Sequence, residues 1–162
     1  MANEPGTSKT DSPVRERVIL FVCTGNTCRS PMAEAIARGL LSDREPDGTV
    51  IRVLSAGVSA MLGAPATPDA VEAVRELGFD LDAHRSSPVT AELLESADVV
   101  LCMTPAHAQA ARSISPASGH KIHPLDPDGG VPDPIGMGDD VYRQTAERLV
   151  ELIRSRLEEL ER

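Results

Sequence analysis

Tryptophan is absent from this 162-residue chain, and Phe21, Phe79 and Tyr142 are its whole aromatic complement. A core therefore has to be built from Val, Leu, Ile, Ala and Met. Long apolar runs are missing too: nothing approaches the roughly 18 residues of a membrane span, and no secretory-type apolar segment opens the chain. Three cysteines are too few for a disulfide framework. A cytoplasmic protein with no membrane partner is expected. Positive charge is also short, with 16 Lys and Arg against 25 Asp and Glu, a net charge of −9. That balance argues against nucleic acid as a partner. Gly-x-x-x-x-Gly-Lys and His-Glu-x-x-His do not occur, which excludes a nucleotide P-loop and the common metalloprotease site. Cys23, Cys28, His120 and His123 could form a zinc set only at a poor spacing. His84 and His107 lack any ligand pattern and read as surface or packing residues. No metal and no cofactor are expected.

What the chain does have is concentrated in one stretch, Val22-Cys23-Thr24-Gly25-Asn26-Thr27-Cys28-Arg29-Ser30-Pro31-Met32-Ala33. Arg17 to Val22, before it, is β-branched and nearly all apolar, the pattern of a strand buried on both faces. Ser30-Pro31 reads as a helix start, a hydroxyl N-cap followed by proline where its missing N–H costs nothing. Five residues separate Cys23 from Arg29. A loop of that length can curl so that the N–H groups of Thr24, Gly25, Asn26, Thr27 and Cys28 converge on one anion. Gly25 and Asn26 are the residues that most readily adopt positive φ. Those amides, the helix N-terminus and Arg29 favour the thiolate of Cys23 over the thiol. Arg29 offers a planar fork for two phosphate oxygens, and Ser30 is placed to hydrogen-bond the sulfur as a leaving group. This is the grammar of a nucleophile inside an anion cradle.

Cys23 to Arg29 fits the C-x5-R signature of cysteine-dependent phosphatases. The run from Val22 to Glu34 resembles the low-molecular-weight protein tyrosine phosphatase family. The resemblance extends to Ser55-Ala56-Gly57, to Val99-Val100-Leu101-Cys102-Met103 and to Asp133-Pro134. It implies that Cys23 attacks phosphorus, that the loop from Thr24 to Ser30 holds the phosphoryl oxygens with Arg29, and that Asp133 is the general acid. It also implies phosphorylated proteins as substrates. Within the family, C-T-G-N-T-C-R-S looks like the protein-arginine-phosphatase branch, where the threonine equivalent to Thr27 is associated with accepting phosphoarginine.

The rest of the chain reads as alternating strands and helices. Residues 1–16, polar and rich in Pro, Gly, Ser and Thr, are expected to be a disordered tail, and residues 17–162 a single phosphatase domain. Strands are expected at 17–22, 50–55, 98–103 and 121–123. Helices are expected at 31–41, 70–77, 90–95, 104–112 and 139–160. Such alternation predicts a three-layer α/β/α domain around a four-stranded, mainly parallel sheet, with loops at the carboxyl ends of strands carrying the chemistry. A monomer is expected.

Leu125 to Met137 is the other informative stretch. Pro132 and Pro134 confine Asp133 to extended backbone and present its carboxylate at low entropic cost, as a proton donor needs. This loop is expected to fold over the Cys23 loop. Asp126, Asp128, Asp133, Asp139 and Asp140 occur with no Lys or Arg among them, a solvated loop or an acidic rim. Ile135 and Ser59 to Leu62 supply no aromatic wall for a phenol ring. Aliphatic walls with carboxylates suit a guanidinium better, so phosphoarginine is the expected substrate. Phosphotyrosine is the alternative. Arsenate reduction is more remote, because residues 80 to 101 hold no cysteine and Cys102 stands alone. Cys28 could serve as a redox brake on Cys23; Cys102 reads as an inert core residue.

Overall fold

Strand β1 is the hub. In the computed structural model, which describes residues 15–44 and 48–160, β1 spans Arg15–Cys23. It pairs in parallel with β2 (Thr49–Gly57) on one side and with β3 (Val99–Cys102) on the other. Strand β4 (Ile122–Pro124) joins the far edge of β3, giving a wholly parallel sheet of order β2-β1-β3-β4.

A strand inside such a sheet is covered on both faces, so β1 carries no polar alternation. Ile19, Phe21 and Cys23 point into one layer, with Met32, Ile36, Val74, Leu149 and Ile153. Leu20 and Val22 point into the other, with Leu94, Val100, Ala108 and Ile122. Each large apolar side chain removed from water in this way contributes about 1.5–3 kcal/mol. The first layer is made by α1 (Arg29–Ser42), α2 (Pro68–Glu76) and α5 (Asp139–Leu160); the second by α3 (Ala91–Ser96) and α4 (Pro105–Ile114). Helix α5 buries Tyr142, Ala146, Leu149, Ile153 and Leu157, a spacing near three and four that makes one continuous stripe. Helices α2, α3 and α4 are capped by Thr67, Thr90 and Thr104, whose hydroxyls accept from Ala70, Leu93 and His107 N–H respectively.

The start of the first strand differs from the sequence expectation. Arg15 and Glu16, assigned above to the tail, already pair with Thr49 and Val50, and Glu16 meets Arg52 at 3.1 Å. Cross-strand pairing outweighs their polarity. The remainder of the expected tail, residues 1–14, lies outside the described residues. No helix among the described residues is long and apolar enough to cross a membrane.

The strand order reverses direction between β1 and β3. In open parallel sheets that switch point opens a crevice beyond the strand ends. The loop after β1 and the start of α4 after β3 are its two walls.

Candidate active site

Residues Cys23 to Ser30 turn from the end of β1 into α1 with their carbonyls facing outward. Cys23 O accepts from Val58 N at 2.9 Å, Thr24 O from Ser59 N at 2.9 Å, Thr27 O from Thr67 N at 2.8 Å and Cys28 O from Met32 N at 3.0 Å. Asn26 O accepts from His84 Nε2 at 2.7 Å. No backbone N–H from Thr24 to Cys28 finds an acceptor among the described residues. Carbonyls anchored outward and amides free inward are the two halves of an anion cradle.

Asn26 holds the curl. It adopts φ 55°, the left-handed conformation. Gly25, expected to share that role, stays out of the left-handed region. The Asn26 side chain explains why it can: its Nδ2 donates to Ser30 Oγ at 2.8 Å and Ser55 Oγ at 2.9 Å, and its Oδ1 accepts from Ser87 N at 2.9 Å. Local strain is offset by four hydrogen bonds, counting its carbonyl.

Ser30 departs from its expected capping role. Helix α1 starts at Arg29, and Cys28 occupies the N-cap position without a side-chain bond. The Ser30 hydroxyl instead lies 2.9 Å from Cys23 Sγ. Its oxygen accepts from Asn26 Nδ2, and its own hydrogen has two acceptors in reach, Cys23 Sγ and, at the longer distance of 3.4 Å, Ala56 O. The second part of the expectation, a hydroxyl on the sulfur, is what the geometry shows.

Arg29 is 5% exposed and fixed from one end of its fork. Nη1 donates to Val131 O at 3.0 Å, and Nη2 approaches Thr24 Oγ1 at 3.4 Å and Asp133 Oδ2 at 3.8 Å. Its Nε is buried and has no hydrogen-bond partner among the described residues. A buried guanidinium N–H left without an acceptor costs about 1–3 kcal/mol or more. Nε and Nη2 form the edge of the fork that takes two oxygens of one anion.

Asp133 reaches the same place from the other loop. Its Oδ1 accepts from Ile135 N at 3.1 Å and from the Cys28 thiol at 3.7 Å. The loop is pinned by Val131 N, which donates to Met103 O at 2.7 Å. Pro134 is buried while Asp133 is exposed, so proline anchors what the carboxylate presents. Burial first, then the neighbouring Cys23 and Asp133, push the Cys28 thiol up to about 12, so it stays protonated and donates. Cys102, buried in β3, is likewise pushed up to about 12 by burial. All three cysteines are free.

The acidic run divides. Asp126 is turned inward, accepting from Asp128 N at 2.9 Å and Arg148 Nη2 at 3.1 Å, and those contacts hold its carboxyl below the usual range. Asp139 and Asp140 sit on the first turn of α5, where the helix dipole favours them. Near the cradle, Met61, Leu62, Ile135 and Met137 are exposed, an aliphatic rather than aromatic fringe.

Two histidines read above as surface or packing residues belong to the site. His84 holds the Asn26 carbonyl, and its Nδ1 lies 3.8 Å from Glu34 Oε2. His107 is buried, with Nε2 2.7 Å from Thr24 Oγ1 and Nδ1 3.0 Å from Thr104 Oγ1. No local pattern could have revealed them. Each arrives from a different loop, and only the topology brings it to the cradle.

The family profile described as low molecular weight phosphotyrosine protein phosphatase matches residues 18–162. A protein-arginine-phosphatase of Bacillus subtilis (strain 168) is 45% identical over 149 residues, covering 89% of this chain and 97% of that protein. The low molecular weight protein-tyrosine-phosphatase PtpB of Staphylococcus haemolyticus is 36% identical, with 83% and 94% covered. Among solved structures, the YwlE arginine phosphatase in a mutant with a phosphorylated active site serine superposes with TM-score 0.83. That chain is 43% identical, with 90% of this chain and 96% of that one covered.

Proposed function

This chain belongs to the low molecular weight phosphotyrosine protein phosphatase family, and on that premise we propose that it hydrolyses phosphoarginine on proteins through a phosphocysteine intermediate. The observation that carries the reading is the cradle itself: inward amides from Thr24 to Cys28 and the unpartnered, buried Arg29 Nε around Cys23. Fixed donors of this kind stabilise charge as it develops on a transferring phosphoryl group.

In the first step the Cys23 thiolate attacks phosphorus and the P–N bond to the guanidine breaks. Arg29 and the loop amides take up the charge on the equatorial oxygens. Asp133, protonated, gives its proton to the departing nitrogen. In the second step Asp133, now a carboxylate, takes a proton from water, the water oxygen bonds phosphorus and the P–S bond breaks. The Ser30 hydroxyl, 2.9 Å from the sulfur, stabilises the thiolate that leaves. Thr24, Gly25, Asn26, Thr27, Cys28 and Ser30 make the rest of the cradle.

Two features favour arginine over tyrosine. The Cys23 loop carries Thr27 rather than a larger aliphatic residue, and the exposed Met61, Leu62 and Ile135 offer no ring to stack on a phenol. The relative that is 45% identical is named for the arginine activity. Arsenate reduction by a downstream cysteine relay is disfavoured, since Cys102 is fully buried inside β3.

The test is turnover of matched phosphoarginine and phosphotyrosine peptides side by side, with Cys23→Ser as control. Faster release of phosphate from the arginine peptide, abolished in Cys23→Ser, is expected. A preference for the tyrosine peptide overturns the substrate assignment, and activity surviving in Cys23→Ser overturns the nucleophile.

A further inference from the structure

The second wall of the crevice carries a residue that the two-step displacement does not use. His107 lies in the first turn of α4 and is buried. Its backbone N–H donates to the capping hydroxyl of Thr104 at 3.2 Å, and its ring bridges that hydroxyl to Thr24 Oγ1, 3.0 Å on one side and 2.7 Å on the other. Thr24 Oγ1 in turn faces Arg29 Nη2 at 3.4 Å.

We infer that His107 is a positioning residue for Arg29, acting through the Thr24 hydroxyl. The proton arrangement follows from the donors available. A guanidinium can only donate, so Thr24 Oγ1 accepts from Arg29 and has its own hydrogen to give. His107 Nε2 receives it, which leaves the ring proton on Nδ1, directed at Thr104 Oγ1. That chain requires a neutral ring. Burial first, then the positive charge of Arg29, hold His107 down at about 4, with Asp133 pulling the other way. Were Nε2 protonated, it would turn the Thr24 hydrogen toward the guanidinium and reverse the contact.

The consequence is directional. Val131 O fixes Nη1, Thr24 fixes Nη2, and the Nε–Nη2 edge is left facing the cradle. With the hydroxyl gone, Nη2 keeps only the 3.8 Å approach to the exposed Asp133 carboxylate, and the fork can rotate away from the anion. The inference rests on the reading of residues 23–29 as a phosphoryl cradle.

The experiment compares Thr24→Val, His107→Phe and the double variant, reading both turnover and direct binding of inorganic phosphate by calorimetry. Each single variant loses the Thr24–His107 bond, together with the 3.4 Å contact to Arg29 in Thr24→Val and the ring contact to Thr104 in His107→Phe, so phosphate affinity and kcat/KM are expected to fall about three- to tenfold. The double variant is expected to match Thr24→Val alone, because His107 acts only through that hydroxyl. His107→Gln, which can still accept from Thr24, is expected to recover most of the loss. If Thr24→Val binds phosphate as tightly as the parent, the inference is overturned. It is also overturned if His107→Phe costs as much on the Thr24→Val background as on the parent, which would mark a packing role. Should His107→Phe not fold, Thr24→Val and His107→Gln still decide. A parent protein that binds phosphate but hydrolyses neither peptide would sink the proposed function and leave this inference standing.

Discussion

Gly57→Ala is the smallest change that should disable the site without touching a reacting group. An alanine Cβ at this position would lie 2.4 Å from the Thr24 carbonyl oxygen, 2.9 Å from Asn26 N and 2.9 Å from Ala60 Cβ. The first distance is about 1 Å short of ordinary contact, which begins at 3.4 Å. Neither side can yield cheaply. Gly57 is held by its N–H to Ser87 O and by its carbonyl from Val89 N, both at 2.9 Å, and Thr24 O is bound to Ser59 N. Overpacking of this kind costs about 1–3 kcal/mol, which for a domain of this size lowers Tm by roughly 2–12 °C. The loop that moves is the cradle itself, and displacement by an ångström costs about 10²-fold in rate. The assay is kcat/KM on a phosphopeptide beside a thermal melt. Gly119→Ala serves as control, since its new methyl would meet nothing closer than Arg112 Cγ at 3.9 Å. A Gly57→Ala protein with kcat/KM within twofold of the parent would refute the reasoning, whatever its Tm.

Three further outcomes are expected. Asp133→Asn should slow a phosphoarginine peptide by about 10²–10⁴-fold but an activated aryl phosphate far less, because only the former leaving group needs a proton; equal losses on the two substrates would remove Asp133 as the acid. Thr27→Ile should lower the ratio of phosphoarginine to phosphotyrosine hydrolysis, read as paired kcat/KM values, and an unchanged ratio removes Thr27 as a selector. His107 titrates at about 4 in the fold against 6.5 ordinarily, so the unfolded chain takes up its proton first. Its contribution to stability is complete above about pH 6.5 and declines as pH falls toward 4, by at most about 1.4 kcal/mol per pH unit. Urea midpoints across that range should slope less steeply in His107→Gln than in the parent; parallel slopes would contradict this.

The fold was largely legible because its signals are local. The apolar run of β1, the Pro68-Asp69 and Thr104-Pro105 openings of α2 and α4 and the stripe of α5 each declare themselves within a few residues. The cradle was legible for the same reason, since Cys23 and Arg29 sit on one short loop. Errors arose where one residue had two partners to choose between. Ser30 has the chemistry of an N-cap, but Cys23 Sγ and Asn26 Nδ2 claim its hydroxyl. Gly25 has the freedom for positive φ, yet Asn26 takes it, because only a side chain can tie the curl to Ser55 and Ser87. His84 and His107 were invisible in a linear reading; their targets lie 58 and 83 positions away.

The Val131 carbonyl that grips Arg29 Nη1 belongs to the same short segment as Asp133. A rigid shift of residues 131–133 would therefore loosen the guanidinium and carry the carboxylate away together. A movement confined to Asp133, with Val131 still pinned to Met103 O, would leave that grip in place, so two adjacent turns of one segment decide whether cation and carboxylate part company.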